Sequence, residues 1–464
     1  MKTHHTFPQS FCFGVATSSF QIEGYTHVDG RGESIWDRFC ATEGKVKNGD
    51  DGTRACEHFV RYPEDIRLMK QLGLDAYRFS AAWPRIFATG HEAVPNPKGL
   101  DFYDRLVDAL LEVGIVPWVT LYHWDLPQTL EDEGGWTERS IVDHFCRFAD
   151  AMSQRLGDRV AHWITHNEPW VASHLGYCTG VHAPGRKSWP ESLAAAHHIL
   201  LSHGAAVPII RGNLSVPNPK VGITVNLCPS EPASTSAADR DAERWFDGFF
   251  NRWYLDPLFK ASYPADMLRD YVEQGHLSSE NPEWLQDGDL ETIAVDCDFL
   301  GINYYSRAVI RSDKIPEEEN EPRTIFDDGE RTAFDWEVHA PSLRRLLNRL
   351  HQDYNPRSLY ITENGCSYPD GPNEEGRVTD VARTRYFRQH LTACARSIED
   401  GVPLHGYFAW SLLDNFEWAE GYSQRFGLTW VDFETQQRIL KDSGHYYAEV
   451  LKNRRVTPEQ GDPS

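Results

Sequence analysis

The sequence predicts an α/β fold, a single (β/α)8 TIM barrel spanning residues 1–464 with its core at about 8–453. Three observations predict it. Eight short apolar runs read as strands, with helical or loop material between them. Several segments between them carry an apolar period of about 3.6 residues. No linker divides the chain, and no repeat of fixed period appears. Apolar strands alternating with amphipathic helices pair in parallel, because a parallel crossover needs a helix. Eight such units close into a barrel, a fold that forms long single domains.

In chain order the runs lie at residues 11–17, 76–81, 117–121, 163–165, 221–227, 298–302, 359–362 and 406–411. Polar and aromatic residues collect at their C-terminal ends. The first run leads to Gln21 and Glu23. The second contains Arg78 and leads to Trp83. The third leads to His123, Trp124 and Asp125, and the fourth ends in Asn167 and Glu168. The sixth ends in Asn303, Tyr304 and Tyr305, and the seventh in Glu363 and Asn364. The eighth leads through Trp410 to Glu417 and Trp418. In a barrel these ends surround one cavity, where active sites sit.

Three helix faces are explicit. Ile141, Phe145, Phe148, Met152 and Leu156 share one. Leu343, Leu346, Leu347 and Leu350 share a second, with Arg344 and Arg345 turned outward. Phe387, His390, Leu391, Cys394 and Ile398 make a third, closed by Gly401 in the C-cap position with Pro403 beyond. Residues 311–330, with Glu317, Glu318, Glu319 and two prolines, read as an exposed loop. The tail 456–464 reads as frayed.

Two carboxylate motifs carry the chemistry. One reads Ile164-Thr165-His166-Asn167-Glu168-Pro169, the other Leu359-Tyr360-Ile361-Thr362-Glu363-Asn364-Gly365. Each is a buried strand handing an acid to a loop. Two carboxylates at strand ends are what glycosidic bond cleavage needs. One protonates the leaving oxygen, and the other attacks or activates water. Such chemistry needs no metal and no organic cofactor.

Composition narrows the class further. The net charge of −23 disfavours nucleic acid and anionic membranes as partners. No run approaches the ~18 apolar residues of a membrane helix, and residues 1–5 lack a signal peptide's apolar stretch. Nine cysteines, an odd number without CxxC spacing, fit a reduced, cytoplasmic protein with mostly buried thiols. The 15 Trp and 19 Tyr residues suit stacking on sugar rings as well as core packing. A homo-oligomer is compatible with all of this.

Over nearly its whole length the chain resembles glycoside hydrolase family 1, the β-glucosidase family. The resemblance runs from Phe11-Cys12-Phe13-Gly14-Val15-Ala16-Thr17 and Gln21-Ile22-Glu23-Gly24 to Arg425-Phe426-Gly427-Leu428 and Lys441-Asp442-Ser443. Tyr122-His123-Trp124-Asp125-Leu126-Pro127 and the two glutamate motifs follow in the family's order. The resemblance implies a retaining β-glycosidase that releases nonreducing terminal β-D-glucose, and also galactose or fucose, from β-glucosides and cello-oligosaccharides. Carbohydrate metabolism, with cellulose and other polysaccharide degradation, is the implied setting.

By this resemblance Glu363 is the nucleophile and Glu168 the acid/base, with carboxyl groups about 5–5.5 Å apart. Arg78 and Tyr305 are implied partners that keep Glu363 ionised. Asn167 is implied at the sugar 2-hydroxyl. Gln21, His123, Glu417 and Trp418 are implied hydroxyl ligands, and Trp410 the stacking platform. Trp124, Asn303 and Phe426 complete the implied sugar site. Trp170, Leu175 and Trp336 are implied walls of the leaving-group subsite. A carboxylate at Glu417 suits a free sugar hydroxyl and repels a phosphate; relatives that cleave 6-phosphorylated sugars carry Ser, Lys and Tyr in this region, where Gln424 and Phe426 stand here, so a neutral sugar is implied. The thioglucosidase branch carries Gln at the acid/base position, and Glu168 argues against it. Thr429-Trp430 and Ser18-Ser19-Phe20 depart from the family's commonest pattern, which bears on packing beside the site.

Plainer readings stand beside these. Glu168 could pair with a buried cation, His123 could be a satisfied core histidine, and Trp410 and Trp418 could be core. His4-His5 and His197-His198 read as solvated or packed, since adjacent histidines on a helix point apart and no HExxH grouping exists. Cys178 and Cys366 read as inert small hydrophobes. No GxGxxG, Walker or GxSxG motif appears. A transglycosylase of the same fold and a non-catalytic sugar-binding barrel remain as alternatives.

Overall fold

The structure, a computed structural model, describes residues 4–312 and 329–458. Eight strands form the barrel: β1 (Cys12–Ala16), β2 (Ala76–Ser80), β3 (Val116–Tyr122), β4 (His162–Asn167), β5 (Lys220–Asn226), β6 (Phe299–Asn303), β7 (Leu359–Asn364) and β8 (Leu404–Trp410). They pair in parallel in that order, and β8 closes on β1 through Gly406↔Cys12 to Trp410↔Ala16. This is a (β/α)8 barrel. The strands are buried on both faces, so they read in sequence as short apolar runs rather than alternating ones.

Aromatic rings fill the N-terminal half of the barrel. Trp118 of β3 meets Phe299, Tyr360 and Phe408 edge-on, with ring centroids 5.3, 4.9 and 5.0 Å apart. Edge-to-face contacts at this range stabilise beyond plain burial. A cavity opens beyond this plug, at the C-terminal strand ends.

The amphipathic helices lie as their periods require. Helix α1 (Ile141–Leu156) buries Ile141, Phe145, Phe148, Met152 and Leu156. Helix α2 (Trp189–Asn213) follows. Helix α3 (Ala340–Tyr354) buries its leucine stripe, while Arg344 reaches out to Asp400. Helix α4 (Val381–Glu399) ends two residues before Gly401, the expected cap. Asp400 is the cap, Gly401 follows at φ 95°, and the Val402 N–H donates to Ser397 O. That pairing is a Schellman motif, which needs the left-handed residue that glycine supplies.

Three expectations need correction. Helix α2, at 25 residues and mean hydropathy 1.4, is long and apolar enough to cross a membrane by length and composition, contrary to the reading that no run is. Burial explains it: 78% of its most apolar window is inside the protein, as expected of a helix apolar all round. The tail does not fray from 456, because Val456 pairs with His5 in a short antiparallel ladder and is 1% exposed. The cysteines are less buried than expected: three are buried and six partly exposed. The acidic stretch Glu317–319 and residues 459–464 lie outside the described residues.

Candidate active site

Two backbone irregularities aim the glutamate motifs inward. In β4, Ile164 faces the barrel interior. Thr165 and His166 then both face α2: Thr165 Oγ1 lies 2.7 Å from His203 Nδ1, and His166 Nε2 2.8 Å from Ser202 Oγ. The ladder to β5 shifts register between Ile164 and Asn167. Strict alternation would turn Asn167 outward; the shift returns it to the cavity. In β7 the ladder to β6 shifts between Ile361 and Glu363. Thr362 and Glu363 consequently both face inward, Thr362 donating to Asn303 Oδ1 at 2.8 Å.

The backbone is strained at the same place. Trp124, Glu168 and Trp418 take left-handed conformations, with φ of 77°, 53° and 50°. Each costs about 1–3 kcal/mol, a cost concentrated at functional sites. Gly365 is required for a different reason. A Cβ there would lie 1.8 Å from Trp410 O, so the residue after Glu363-Asn364 must have no side chain.

Glu363 accepts from Arg78 Nη1 at 2.6 Å on one oxygen and from the Tyr305 hydroxyl at 2.7 Å on the other. The Arg78 and Glu363 side chains are 1% and 4% exposed. Removing one partner of such a buried pair costs about 3–5 kcal/mol, because the other charge is left alone. Arg78 also donates to Thr120 Oγ1, Thr362 O and Asn167 Oδ1. Glu168 Oε1 accepts from Asn303 Nδ2 at 2.6 Å, and the same amide lies 3.0 Å from Asn167 Oδ1. Asn167 Nδ2 is 3.1 Å from His123 Nε2, and Asn167 O accepts from Trp124 Nε1 at 2.9 Å. His123 Nδ1 is buried without a partner among the described residues.

The two glutamates differ in electrostatic setting. Burial pushes the Glu168 carboxyl well above the usual range, and the Glu363 carboxyl raises it further. Burial raises Glu363 too, but Arg78 and Tyr305 oppose it. One proton between them therefore resides on Glu168. The expectation that Arg78 and Tyr305 keep Glu363 ionised meets an opposing effect: burial outweighs them, and the Glu363 carboxyl stands above its usual range. His123 is held well below its usual range by burial and then by Arg78, so it is neutral. Glu417 is pushed up to about 8 by burial, then by Glu363 and Glu420. Its protonated form is thus favoured at neutral pH.

The cavity, about 640 Å³, is lined at its base by His123, Glu168, Glu363, Trp410, Glu417 and Trp418. Toward its mouth stand Trp170, Leu175, Phe250, Phe334 and Trp336, with Tyr305, Asn303, Trp124 and Phe426 between. Trp170 packs on Phe250 at 4.2 Å and Phe334 stacks on Trp336 at 4.6 Å. Gln21, Arg78 and Asn167 lie just behind the surface, each 0–1% exposed. Gln21 Nε2 reaches Glu417 Oε2 at 3.4 Å and Phe416 O at 2.8 Å. Phe20, at one of the departures, stacks beneath Trp418 at 6.1 Å.

Five strand-end residues do not join the cavity, among them Asn364, whose amide donates to Tyr304 O and lies 2.9 Å from the Tyr386 hydroxyl. Glu23 pairs with Arg85 and Tyr103. Trp83 stacks on Phe148 of α1. Asp125 accepts from Ser19 Oγ. Tyr304 donates to His339 O. His197 and His198 are packed, against Asp289 and Trp136 O. Among the described residues no cluster of three His, Cys, Asp or Glu could hold a metal. The sequence reading missed His182, Phe250 and Phe334. Phe334 had a signal: it stands two residues before Trp336, already read as an entrance wall, and a turn with Asp335 at φ 60° brings the two rings together.

The sequence model of glycosyl hydrolase family 1 matches residues 3–456. "Beta-glucosidase A" of Acetivibrio thermocellus is 45% identical over 449 residues, covering 97% of this chain and 98% of that protein. A "Beta-glucosidase" of Agrobacterium sp. is 46% identical, covering 95% of this chain and 94% of that protein. A beta-glucosidase from Thermotoga maritima, solved in complex with glucoimidazole, superimposes with a TM-score of 0.90 at 43% identity. It covers 97% of this chain and 99% of that chain.

Proposed function

The chain belongs to glycosyl hydrolase family 1, and on that premise we propose that it is a retaining β-glucosidase acting by double displacement. One observation carries the reading: two buried carboxyls share a cavity, and their surroundings hold the proton on Glu168 and the negative charge on Glu363. Glu363, fixed by Arg78 and Tyr305, attacks the anomeric carbon. The glycosidic C–O bond breaks, and the Glu168 proton passes to the leaving oxygen. Esterification removes the Glu363 charge, so the Glu168 pKa falls and it becomes the base. It takes a proton from water, which attacks the anomeric carbon and frees Glu363.

The neutral sugar binds over Trp410, with His123 lining the cavity and the Gln21-backed Glu417 available to its hydroxyls. The naming of the relatives as beta-glucosidases supports glucose as the sugar. Nine free cysteines support a reducing, cytoplasmic location.

Exclusion of phosphorylated sugars has a different cause from simple repulsion. Glu417 carries a proton at neutral pH, and among the described residues no cation is hydrogen-bonded to it. A 6-phosphate there would be buried unpaired, at a cost of several kcal/mol. The expected result is a kcat/KM for 4-nitrophenyl β-glucoside at least about 10³-fold above that for its 6-phosphate. A 6-phosphate handled as well as the neutral glucoside would refute this picture of the sugar site.

A further inference from the structure

The barrel alone does not hold the mouth of the cavity. Residues 330–338 double back as a hairpin: Thr332 N–H donates to Trp336 O at 2.9 Å and Val338 N–H to Glu330 O at 2.8 Å. Arg331 and Glu337 form an antiparallel bridge. The hairpin carries the stacked Phe334–Trp336 pair into the cavity. Trp336 in turn lies 5.3 Å from the Tyr305 ring, whose hydroxyl donates to Glu363.

Charged contacts anchor both ends of the hairpin. Glu330 accepts from the Tyr368 hydroxyl at 2.9 Å and from Arg385 Nε at 3.0 Å. Glu337 receives Arg307 Nε and Nη2, each at 2.8 Å. The Arg307 and Glu337 side chains are 7% and 12% exposed. A two-pronged, largely buried pair of this kind fixes orientation as well as distance. Arg307 leaves β6 two residues after Tyr305 and also reaches Glu231 at 3.2 Å. Ser306 Oγ adds a bond to Glu337 O at 3.0 Å. One guanidinium therefore ties the loop that holds Tyr305 to the hairpin that holds Trp336.

We propose that Arg307 is a positioning residue that acts through Glu337 to hold the Phe334–Trp336 wall, and so sets which leaving groups and acceptors the enzyme accepts. This rests on the glycosidase reading above. The wall faces the leaving group when the glycosidic bond breaks and an acceptor alcohol when one replaces water. The water that hydrolyses the glycosyl-enzyme enters the same vacated space but is too small to span it, so it gains little from contact with the wall. Loosening the wall should therefore weaken acceptor use and leave hydrolysis intact.

The test uses the full-length enzyme trapped as its glycosyl-enzyme with 2-deoxy-2-fluoro-β-glucosyl fluoride. Reactivation is followed in water alone and with phenyl β-glucoside as acceptor. The variants are Arg307→Lys and the double variant Arg307→Met, Glu337→Gln, which leaves no buried charge alone. In the double variant the acceptor-dependent rate should fall about tenfold, on the scale of a displaced contact surface, with the water rate unchanged. Arg307→Lys should restore most of the loss. Water and acceptor rates falling together, or an acceptor rate equal to wild type, would overturn the proposal. Failure of the wild type to form a trapped ester would instead overturn the glycosidase reading beneath it.

Discussion

Glu363→Gly reduces turnover of aryl β-glucosides by about five to six orders of magnitude, the scale on which loss of a covalent nucleophile acts. The protein should still fold. Arg78, left without the carboxylate, keeps Thr120 Oγ1, Thr362 O and Asn167 Oδ1 as acceptors. The substitution empties space directly beneath the anomeric carbon. Azide entering it should attack from the face Glu363 uses and restore product formation, as the α-glucosyl azide. Rates with and without azide, and the configuration of the azide product by NMR, check this. Substantial activity without azide would mean another group attacks.

Glu168→Ala should divide substrates by leaving group. Alkyl glucosides and cellobiose need a proton on the departing oxygen and should lose about 10²–10⁴-fold in kcat/KM. Dinitrophenyl glucosides, which depart unaided, should lose little in that parameter. Azide occupying the vacated space should give the β-glucosyl azide, by attack on the glycosyl-enzyme from the opposite face.

The pH profile supplies a second reading of the same variant. Activity needs Glu363 ionised, so it is lost as pH falls through the lower titration of the pair. It needs Glu168 protonated, so it is lost as pH rises through the upper one. Glu168→Ala should abolish the basic limb for dinitrophenyl glucosides and leave the acidic limb. Equal losses across all leaving groups, with an unchanged basic limb, would assign Glu168 a structural part only.

The barrel was legible because its strands are buried on both faces and must be apolar throughout. Its helices were legible because one face must be. Glu168 and Glu363 were legible as acids at strand ends. What turns Asn167 and Glu363 inward was not, since a register shift is a relation between two strands and leaves no mark on either alone. The left-handed backbone at Trp124, Glu168 and Trp418 was equally hidden, because tertiary packing imposes it against local preference. Glu23 and Trp83 follow strands just as Gln21 and Glu417 do. Only the fold shows that Arg85 and Phe148 claim them instead. The protonation of Glu417 depends on burial and on two other carboxyls, Glu363 from elsewhere in the chain and nearby Glu420. Helix α2 shows the reverse failure: composition alone could not separate a core helix from a membrane one.

The central claim is that Glu363 forms a covalent ester and Glu168 then directs water to the face the leaving group vacated. The most direct measurement is the anomer of glucose released first, followed by proton NMR from the earliest seconds of hydrolysis of an aryl β-glucoside. The account predicts the β-anomer alone at first, with the α-anomer growing in only as fast as free glucose equilibrates. Initial release of α-glucose would contradict it, because water would then have displaced the leaving group in a single inverting step.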